Sequence, residues 1–404
     1  MAPTLLPAFL RAQGSPIREI MRHAAEPGVV SLAGGYPAPE CFDEEGIRAA
    51  IDDATAQGLQ GILQYGLTEG DAAFRQALAA LLATRGLPVR AEEVLVLSGS
   101  QQGFDLLVRT LVAPGDRVLT ESPTYPATLA ALRLAGAAIA EVASDADGLR
   151  PEALEDALRA GPAKFLYLTP NFSNPTGSLL SRERRRALLD IASRHGLPIV
   201  EDDPYRDLSF GDEPLPPSLA ALAHEQGIRH LVCHLGSLSK TVAPGLRIGF
   251  AVLPAEIHRA CVLAKQVGDL HSSRLSQAVA RSYLASGRLS AHLQRVRAIY
   301  AGKARALAGA LRRRLPEDVL EFDMPRGGMF LWAKFLDGTD TQALVALAQE
   351  EKVLFVPGAC FLDAPAQSSF LRLSFSGLDE AGMEAGAQRL RQAWLRYARR
   401  HGSR

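Results

Sequence analysis

From about residue 93 to residue 253 the chain alternates short apolar runs with stretches of helical period. No other feature restricts the fold as strongly. Val94 to Leu97, Asp116 to Glu121, Ala138 to Val142, Lys164 to Thr169, the run from Leu197 into Asp203, Leu231 to Leu235 and Ile248 to Leu253 read as strands. Phe104 to Leu111, Pro151 to Arg159 and Arg182 to His195 read as helices, and Gly196 suits the end of the last one. Strands that alternate with helices imply an α/β fold with a mostly parallel sheet, covered on both faces. Such sheets bind ligands in the crevice at the carboxyl ends of their strands. Polar residues just after the strand ends are therefore the first candidates for chemistry.

The densest group lies between the last two apolar runs, at Gly236-Ser237-Leu238-Ser239-Lys240 through Gly245-Leu246-Arg247. A lysine between two buried strands should not remain charged and unpaired, because burying an isolated ammonium is very costly. One solution is an imine between Lys240 and a carbonyl compound. Ser237, Ser239 and Arg247 would then suit a phosphate. The other reading is a surface loop with a solvated lysine.

Similar pairs of readings hold at the other strand ends. The Ser98-Gly99-Ser100-Gln101-Gln102-Gly103 turn offers free N–H groups at a helix start, which suits a phosphate, or is simply a tight turn. It is neither a P-loop nor a GxGxxG motif. Tyr125 can stack on a planar ligand, or pack in its loop. Asn174, in Asn174-Pro175-Thr176-Gly177, can donate into the crevice, or mark a turn. Asp202 of Glu201-Asp202-Asp203-Pro204-Tyr205 lies in the crevice if its strand is central, or else caps a helix in solvent.

Beyond residue 254 the pattern changes to helices in a row, near 255–266, 273–286 and 290–314. Strands at Met329 to Phe335, Val353 to Gly358 and Phe370 to Ser376 follow, with helices near 341–351 and 379–399. Such segregated blocks suggest a second, smaller α+β domain, and 404 residues suffice for two domains. Arg372 sits inside the last strand, where it faces solvent or binds an anion; taken alone, solvent is favoured. Residues 1–45 read as an irregular arm with a short helix near Ile17 to His23 and a Gly/Pro-rich stretch, Gly34-Gly35-Tyr36-Pro37.

Composition narrows the function. Basic and acidic residues number 44 each, so no basic surface for nucleic acid is expected. No apolar run reaches the roughly 18 residues of a membrane helix, and Met1 to Pro7 lacks a signal-peptide pattern. The four cysteines, Cys41, Cys233, Cys261 and Cys360, are scattered without metal-site spacing. They read as reduced thiols of a cytoplasmic protein, with no metal site.

Taken in order, these pieces resemble the fold-type I aminotransferases of class I/II that use pyridoxal phosphate. Within that family the chain is most similar to the 2-aminoadipate/kynurenine branch. The resemblance runs from Ser15 to about Ser376 and adds Gln64-Tyr65 and Gly245-Leu246-Arg247-Ile248-Gly249 to the motifs above. It implies a mostly parallel large domain at 46–280, a small domain at 281–404 and the arm at 1–45. It implies that Lys240 carries the cofactor and shuttles the proton, that Asp202 pairs with the pyridine nitrogen, and that Tyr205 and Asn174 bond the ring's phenolic oxygen. Tyr125 would stack on the ring. Ser100, Gln101, Ser237, Ser239 and Arg247 would hold the phosphate, and Tyr65 would reach the phosphate bound by the partner of a homodimer. Arg372, with Asn174 and Gly35, would grip the substrate's α-carboxylate, and Arg18 the distal carboxylate of an acidic substrate.

The expected reaction is amino transfer from an L-α-amino acid to a 2-oxo acid such as 2-oxoglutarate. A lyase or decarboxylase on the same scaffold is one alternative. A non-catalytic ligand sensor is another, as in the MocR-type regulators, although no room for a winged helix precedes the arm. Asp43 departs from the family pattern, where proline is common. The low aromatic content, 6%, argues against a large aromatic pocket.

Overall fold

The computed structural model describes residues 9–10, 14–364 and 367–401. Met1 to Pro7 therefore lies outside the described residues. The strands, in chain order, begin with β1 (Val30–Ser31) in the arm. Eight more follow: β2 (Val94–Leu97), β3 (Arg117–Ser122), β4 (Ala138–Asp145), β5 (Gly148–Leu149), β6 (Leu166–Leu168), β7 (Ile199–Asp203), β8 (Val232–Ser237) and β9 (Gly249–Val252). These eight form one sheet in the order β2-β9-β8-β7-β6-β3-β4-β5. The pairings of β3, β4, β6, β7 and β8 are parallel, whereas β9 runs antiparallel to β2 and β8, and β5 to β4.

The sheet is covered on both faces, as near-continuous apolar strands require. Val94, Val96, Leu166, Ile199 and Phe250 join one apolar cluster, and Leu95, Leu97, Tyr167, Val200 and Leu235 join another. Neighbouring residues of one strand thus point into different cores, as period-two alternation demands.

A third cluster surrounds a second, antiparallel sheet. It is built from β10 (Leu320–Phe322), β11 (Phe330–Phe335), β13 (Val356–Pro357) and β14 (Phe370–Ser374), in the order β10-β11-β14-β13. The apolar run expected as one strand at 353–358 divides here. Val353–Leu354 (β12) pairs in parallel with β1 of the arm, and only β13 joins the sheet. The arm is accordingly less irregular than its sequence suggests. It holds a helix at Pro16–Arg22 and continues past β1 along β14, where Leu32 O accepts the Ser374 N–H at 2.7 Å.

Three further elements, Leu59–Leu63, Leu219–Glu225 and Leu320–Phe322, are too short to show a clear period in the sequence. Asp43 has a local reason to differ from proline. Its carboxylate caps the helix Glu44–Ala56 through the Gly46 N–H at 3.0 Å and receives Arg288 Nε at 2.9 Å and the Tyr283 hydroxyl at 3.1 Å. The Arg288 guanidinium holds this carboxyl well below the usual range. No described helix is long and apolar enough to cross a membrane.

Candidate active site

The carboxyl ends of β3, β6, β7 and β8 open into one crevice, where the sheet's chain order reverses between β3 and β6. Asp202 lies near the end of β7 and is only 9% exposed. Its Oδ2 accepts the Tyr167 hydroxyl at 2.9 Å, while its Oδ1 is buried with no protein partner. Burial pushes its carboxyl up to about 6, and the neighbouring Tyr167 and Ser100 hydroxyls work against that rise.

Lys240 stands in the 238–248 connection between β8 and β9. Its Nζ donates to the Gly35 carbonyl at 3.0 Å. Burial lowers its pKa to about 8, helped by the nearby Arg372 and Arg247 cations. Gly35 must be small here, since an added Cβ would come within 2.8 Å of the Phe330 ring.

Arg372 corrects the reading of an exposed strand arginine: it is 2% exposed. Its Nη1 donates to Asn174 Oδ1 at 2.7 Å and its Nη2 to the Ala33 carbonyl at 2.6 Å, whereas its Nε is buried without a partner. The guanidinium carbon lies 4.2 Å from the Phe330 ring centre and 5.3 Å from that of Phe361. Burial lowers its pKa to about 10. Asn174 also stands beside the hydroxyl of Tyr205, whose pKa burial raises well above the usual range. Tyr125 is half-buried at the start of the helix Pro126–Leu134 and feels Asp202, Arg372 and Arg18. Asp202, Asn174, Tyr205, Tyr125, Lys240, Gly35 and Arg372 are thus gathered in one place.

The second part of the crevice is built from two turns. The helix expected from Phe104 begins at Ser100 and runs to Leu111, because Gly99, with φ of +96°, serves as its N-cap. Ser100 and Gln101 therefore occupy its first turn, where backbone N–H groups lack helical partners. Opposite, Arg247 takes a left-handed φ of 52° and donates from Nη2 to the Ser98 carbonyl at 3.0 Å. The Ser239 N–H donates to Ser237 Oγ at 3.0 Å. The two turns touch at Gly249, where an added Cβ would lie 2.5 Å from the Gly99 carbonyl carbon and 2.6 Å from the Ser100 nitrogen. Gln101 is exposed, and it is Gln102 that bonds inward, its Oε1 accepting the Ser98 N–H at 2.8 Å.

Tyr65 lies apart from this crevice and is 75% exposed, its ring edge-on to His271 at 5.8 Å. Arg18 is exposed on the arm helix, close enough to Tyr125 to favour the ionised phenol, and Glu26 pairs with His23 rather than with Arg18. The sequence reading had no place for Tyr167, Phe330 and Phe361. Each sits in an apolar run where an aromatic reads as core, and only fold geometry brings them to charged partners.

The chain matches the family Aminotransferase class I and II over residues 33–390. It belongs to that family. It is 40% identical to a 2-aminoadipate transaminase of Thermus thermophilus, over 95% of this chain and 94% of the relative. It is 32% identical to the mitochondrial kynurenine/alpha-aminoadipate aminotransferase of Mus musculus, over 95% of this chain and 96% of that one. Among solved structures it resembles LysN, the alpha-aminoadipate aminotransferase of Thermus thermophilus, complexed with N-(5'-phosphopyridoxyl)-L-leucine. That match has a TM-score of 0.90 and 38% identity, and covers 98% of each chain.

The protein is thus an aminotransferase of fold type I that uses pyridoxal phosphate. Its residues fit that cofactor. The unpartnered Asp202 Oδ1 suits a pyridine N–H, and the first-turn N–H groups after Gly99, with the Arg247 guanidinium opposite, suit a phosphate.

The depressed Lys240 pKa gives a stability prediction for the cofactor-free protein. Unfolded, the lysine titrates near 10.5, and folded near 8. Below pH 8 both states carry the proton, so the full burial cost is felt. As pH rises from 8 to 10.5 the unfolded chain binds more protons, and the native fold gains stability. Lys240→Met should therefore stabilise the cofactor-free protein by up to about 3 kcal/mol below pH 8. That advantage should shrink steadily toward pH 10.5 in urea denaturation curves. A variant of equal or lower stability across the whole range would refute the lysine's burial cost.

Proposed function

We propose that this aminotransferase moves the amino group of an L-α-amino acid to 2-oxoglutarate or a similar 2-oxo acid, with a 2-aminoadipate or broad specificity. The observation that carries the reading is a buried, half-partnered Asp202 at the end of β7 together with a Lys240 after β8 whose pKa is lowered to about 8. Pyridoxal phosphate, when bound, supplies the electron sink that makes the substrate's Cα proton removable. Asp202 would hold the proton of the ring nitrogen through its unpartnered Oδ1. Asn174 and Tyr205 bond the phenolic oxygen, and Tyr125 stacks on the ring. Ser100, Gln101, Ser237, Ser239 and Arg247 seat the phosphate. The Lys240 Nζ binds the cofactor at rest. Its free amine would take the Cα proton, becoming an ammonium, and would return that proton to the cofactor carbon, a role suited to a pKa near the working pH. Arg372 grips the α-carboxylate, for which its buried, unpartnered Nε is available.

The same reading makes the enzyme a cytoplasmic homodimer. Leu63, Tyr65, Leu67, Val267, Leu270 and Leu275 are exposed on two adjoining segments, linked where Arg274 donates to the Tyr65 carbonyl at 3.2 Å. Such a patch is characteristic of an interface, and Tyr65 would extend from it to the partner's phosphate. Free cysteines accord with a reducing compartment. The chain divides into an arm (1–45), a large domain (46–280) and a small domain (281–404), and separate apolar clusters around the two sheets support this division.

Arg18 is the proposed reader of acidic side chains. Its helix packs through Ile20 into the cluster of Phe361 and Val356, beside Arg372. Swinging this helix would exchange a guanidinium for apolar residues such as Ile17, so one pocket would accept glutamate-like and leucine-like substrates in turn.

Borohydride reduction followed by peptide mass spectrometry should find the cofactor fixed on Lys240, and a label on another lysine would overturn the assignment. Lys240→Ala should abolish amino transfer. Light scattering should give a dimer at assay concentration; a fully active monomer would remove Tyr65 from the site. Arg18→Ala should cost roughly 1.5–3 kcal/mol in kcat/KM for 2-oxoglutarate or 2-aminoadipate and leave leucine nearly unchanged. Equal losses for both classes would make Arg18 a residue of the fold alone.

A further inference from the structure

The molecule holds a second buried lysine that the reaction does not use. Lys265 lies in the last turn of the helix Ala255–Gly268, with its side chain fully buried. Its ammonium donates to Asp269 Oδ1 at 2.8 Å and Oδ2 at 2.9 Å, to Gln102 Oε1 at 3.1 Å and to Ser272 Oγ at 3.1 Å. A buried ammonium needs such partners, and an apolar side chain of similar size would fill the space without the desolvation cost.

The partners lead to one place. Gln102 Nε2 donates to Asp269 Oδ2 at 2.6 Å, and Gln102 Oε1 accepts the Ser98 N–H at 2.8 Å. The side-chain amide is thus oriented from both ends, by a carboxylate at its nitrogen and an ammonium at its oxygen. Ser98 Oγ lies 3.4 Å from Asp269 Oδ2 and 3.3 Å from Ser272 Oγ. The Ser98 carbonyl accepts Arg247 Nη2 at 3.0 Å. All three polar groups of Ser98 are therefore tied, two of them to partners of Lys265 and the third to Arg247. The next residue, Gly99, has no side chain to hold its own left-handed backbone.

We infer that Lys265 is a positioning residue of the cofactor site, which with Asp269 and Gln102 fixes the Ser98-Gly99-Ser100 turn against Arg247. This rests on the reading of that turn and Arg247 as the seat of the phosphate. Anion binding by backbone N–H groups depends on where they point, so a turn freed from this clamp grips a phosphate less well. Lys265 touches neither substrate nor reacting atoms.

The test uses the full-length enzyme and pyridoxamine 5'-phosphate, which binds without a bond to Lys240. Its dissociation constant, read by spectroscopic titration, should rise about tenfold in Lys265→Met, as expected for a buried polar network left without its donor. In the same variant kcat at saturating cofactor should stay within about twofold, since the chemistry does not depend on this residue. Gln102→Leu keeps the Lys265–Asp269 pair and removes the amide that joins it to Ser98, together with that amide's own bonds to Lys265 and Asp269. It should show the same loss of affinity with kcat at saturating cofactor again within about twofold, and it carries the test if Lys265→Met fails to fold. Arg247→Ala is the control for the seat itself. If it weakens binding while Lys265→Met and Gln102→Leu do not, the positioning role is refuted and the seat stands. If Arg247→Ala binds as tightly as the native enzyme, the seat and the inference fall together.

Discussion

Uncompensated charge in a dry crevice governs this structure. Asp202 is buried with a hydroxyl on one oxygen and no protein partner on the other, and Arg372 and the more exposed Arg247 lie near enough to Lys240 to act on its charge. Burial works against the charges of Asp202, Lys240 and Arg372, and the two arginines further disfavour the Lys240 ammonium. Among the described residues Asp202, Lys240 and Arg372 bond only neutral groups. A ligand with a protonated ring nitrogen at one end and phosphate and carboxylate oxygens at the other would satisfy all of them. The fold therefore holds apart charges that a solvated protein would screen or pair, and only a rigid frame can do that.

The frame is visible beneath the crevice. Arg185 is fully buried and donates to Asn171 Oδ1 at 2.7 Å and to the carbonyls of Pro170 and Leu180. Asn171 in turn donates to Asp203 Oδ1 at 2.8 Å. Glu201 accepts the N–H groups of Leu219 and Ala220 and the ring of His234. These polar networks fix the loop that presents Asn174 to the end of β7. The apolar clusters on both sheet faces supply the bulk of the stability, but satisfied buried polar groups fix where the loops lie.

Much of this was legible in the sequence. The β–α alternation announced the parallel sheet, and Lys240, Asp202 and Asn174 stood out as polar residues interrupting apolar runs. What could not be read depends on contacts distant in sequence. Tyr167 lies in a strand buried on both faces, where any large residue reads as core. Arg372 alternates with leucines as a surface arginine would, and its partners, Ala33 and Asn174, lie far back in the chain. The Ser-Gln-Gln start of the helix at Ser100 looks like a loop, because the cap is a glycine that acts through its backbone and not through a side chain. Val353 to Pro357 reads as one strand because nothing local distinguishes residues that pair with the arm from those that pair with β14.

The antiparallel course of β9 has a mechanical consequence. It lies directly beside β8, with Ser237 opposite Gly249, and the Leu238 N–H bonds the Ile248 carbonyl at 3.1 Å. Both ends of the segment bearing Lys240 are therefore anchored to the same pair of strands. The backbone at Lys240 is a fixed pivot, and the travel of its amine is set by the four methylenes of the side chain. The arm is tied along β12 and β14 and to Arg372, but its helix Pro16–Arg22 rests on a small apolar cluster through Ile20. On the roles proposed above, the residue that moves the proton is bolted down, whereas the helix that would meet the variable side chain of the substrate is held by side-chain packing. Changes in substrate range would then accumulate in that helix, apart from the Gly35 carbonyl that receives the lysine.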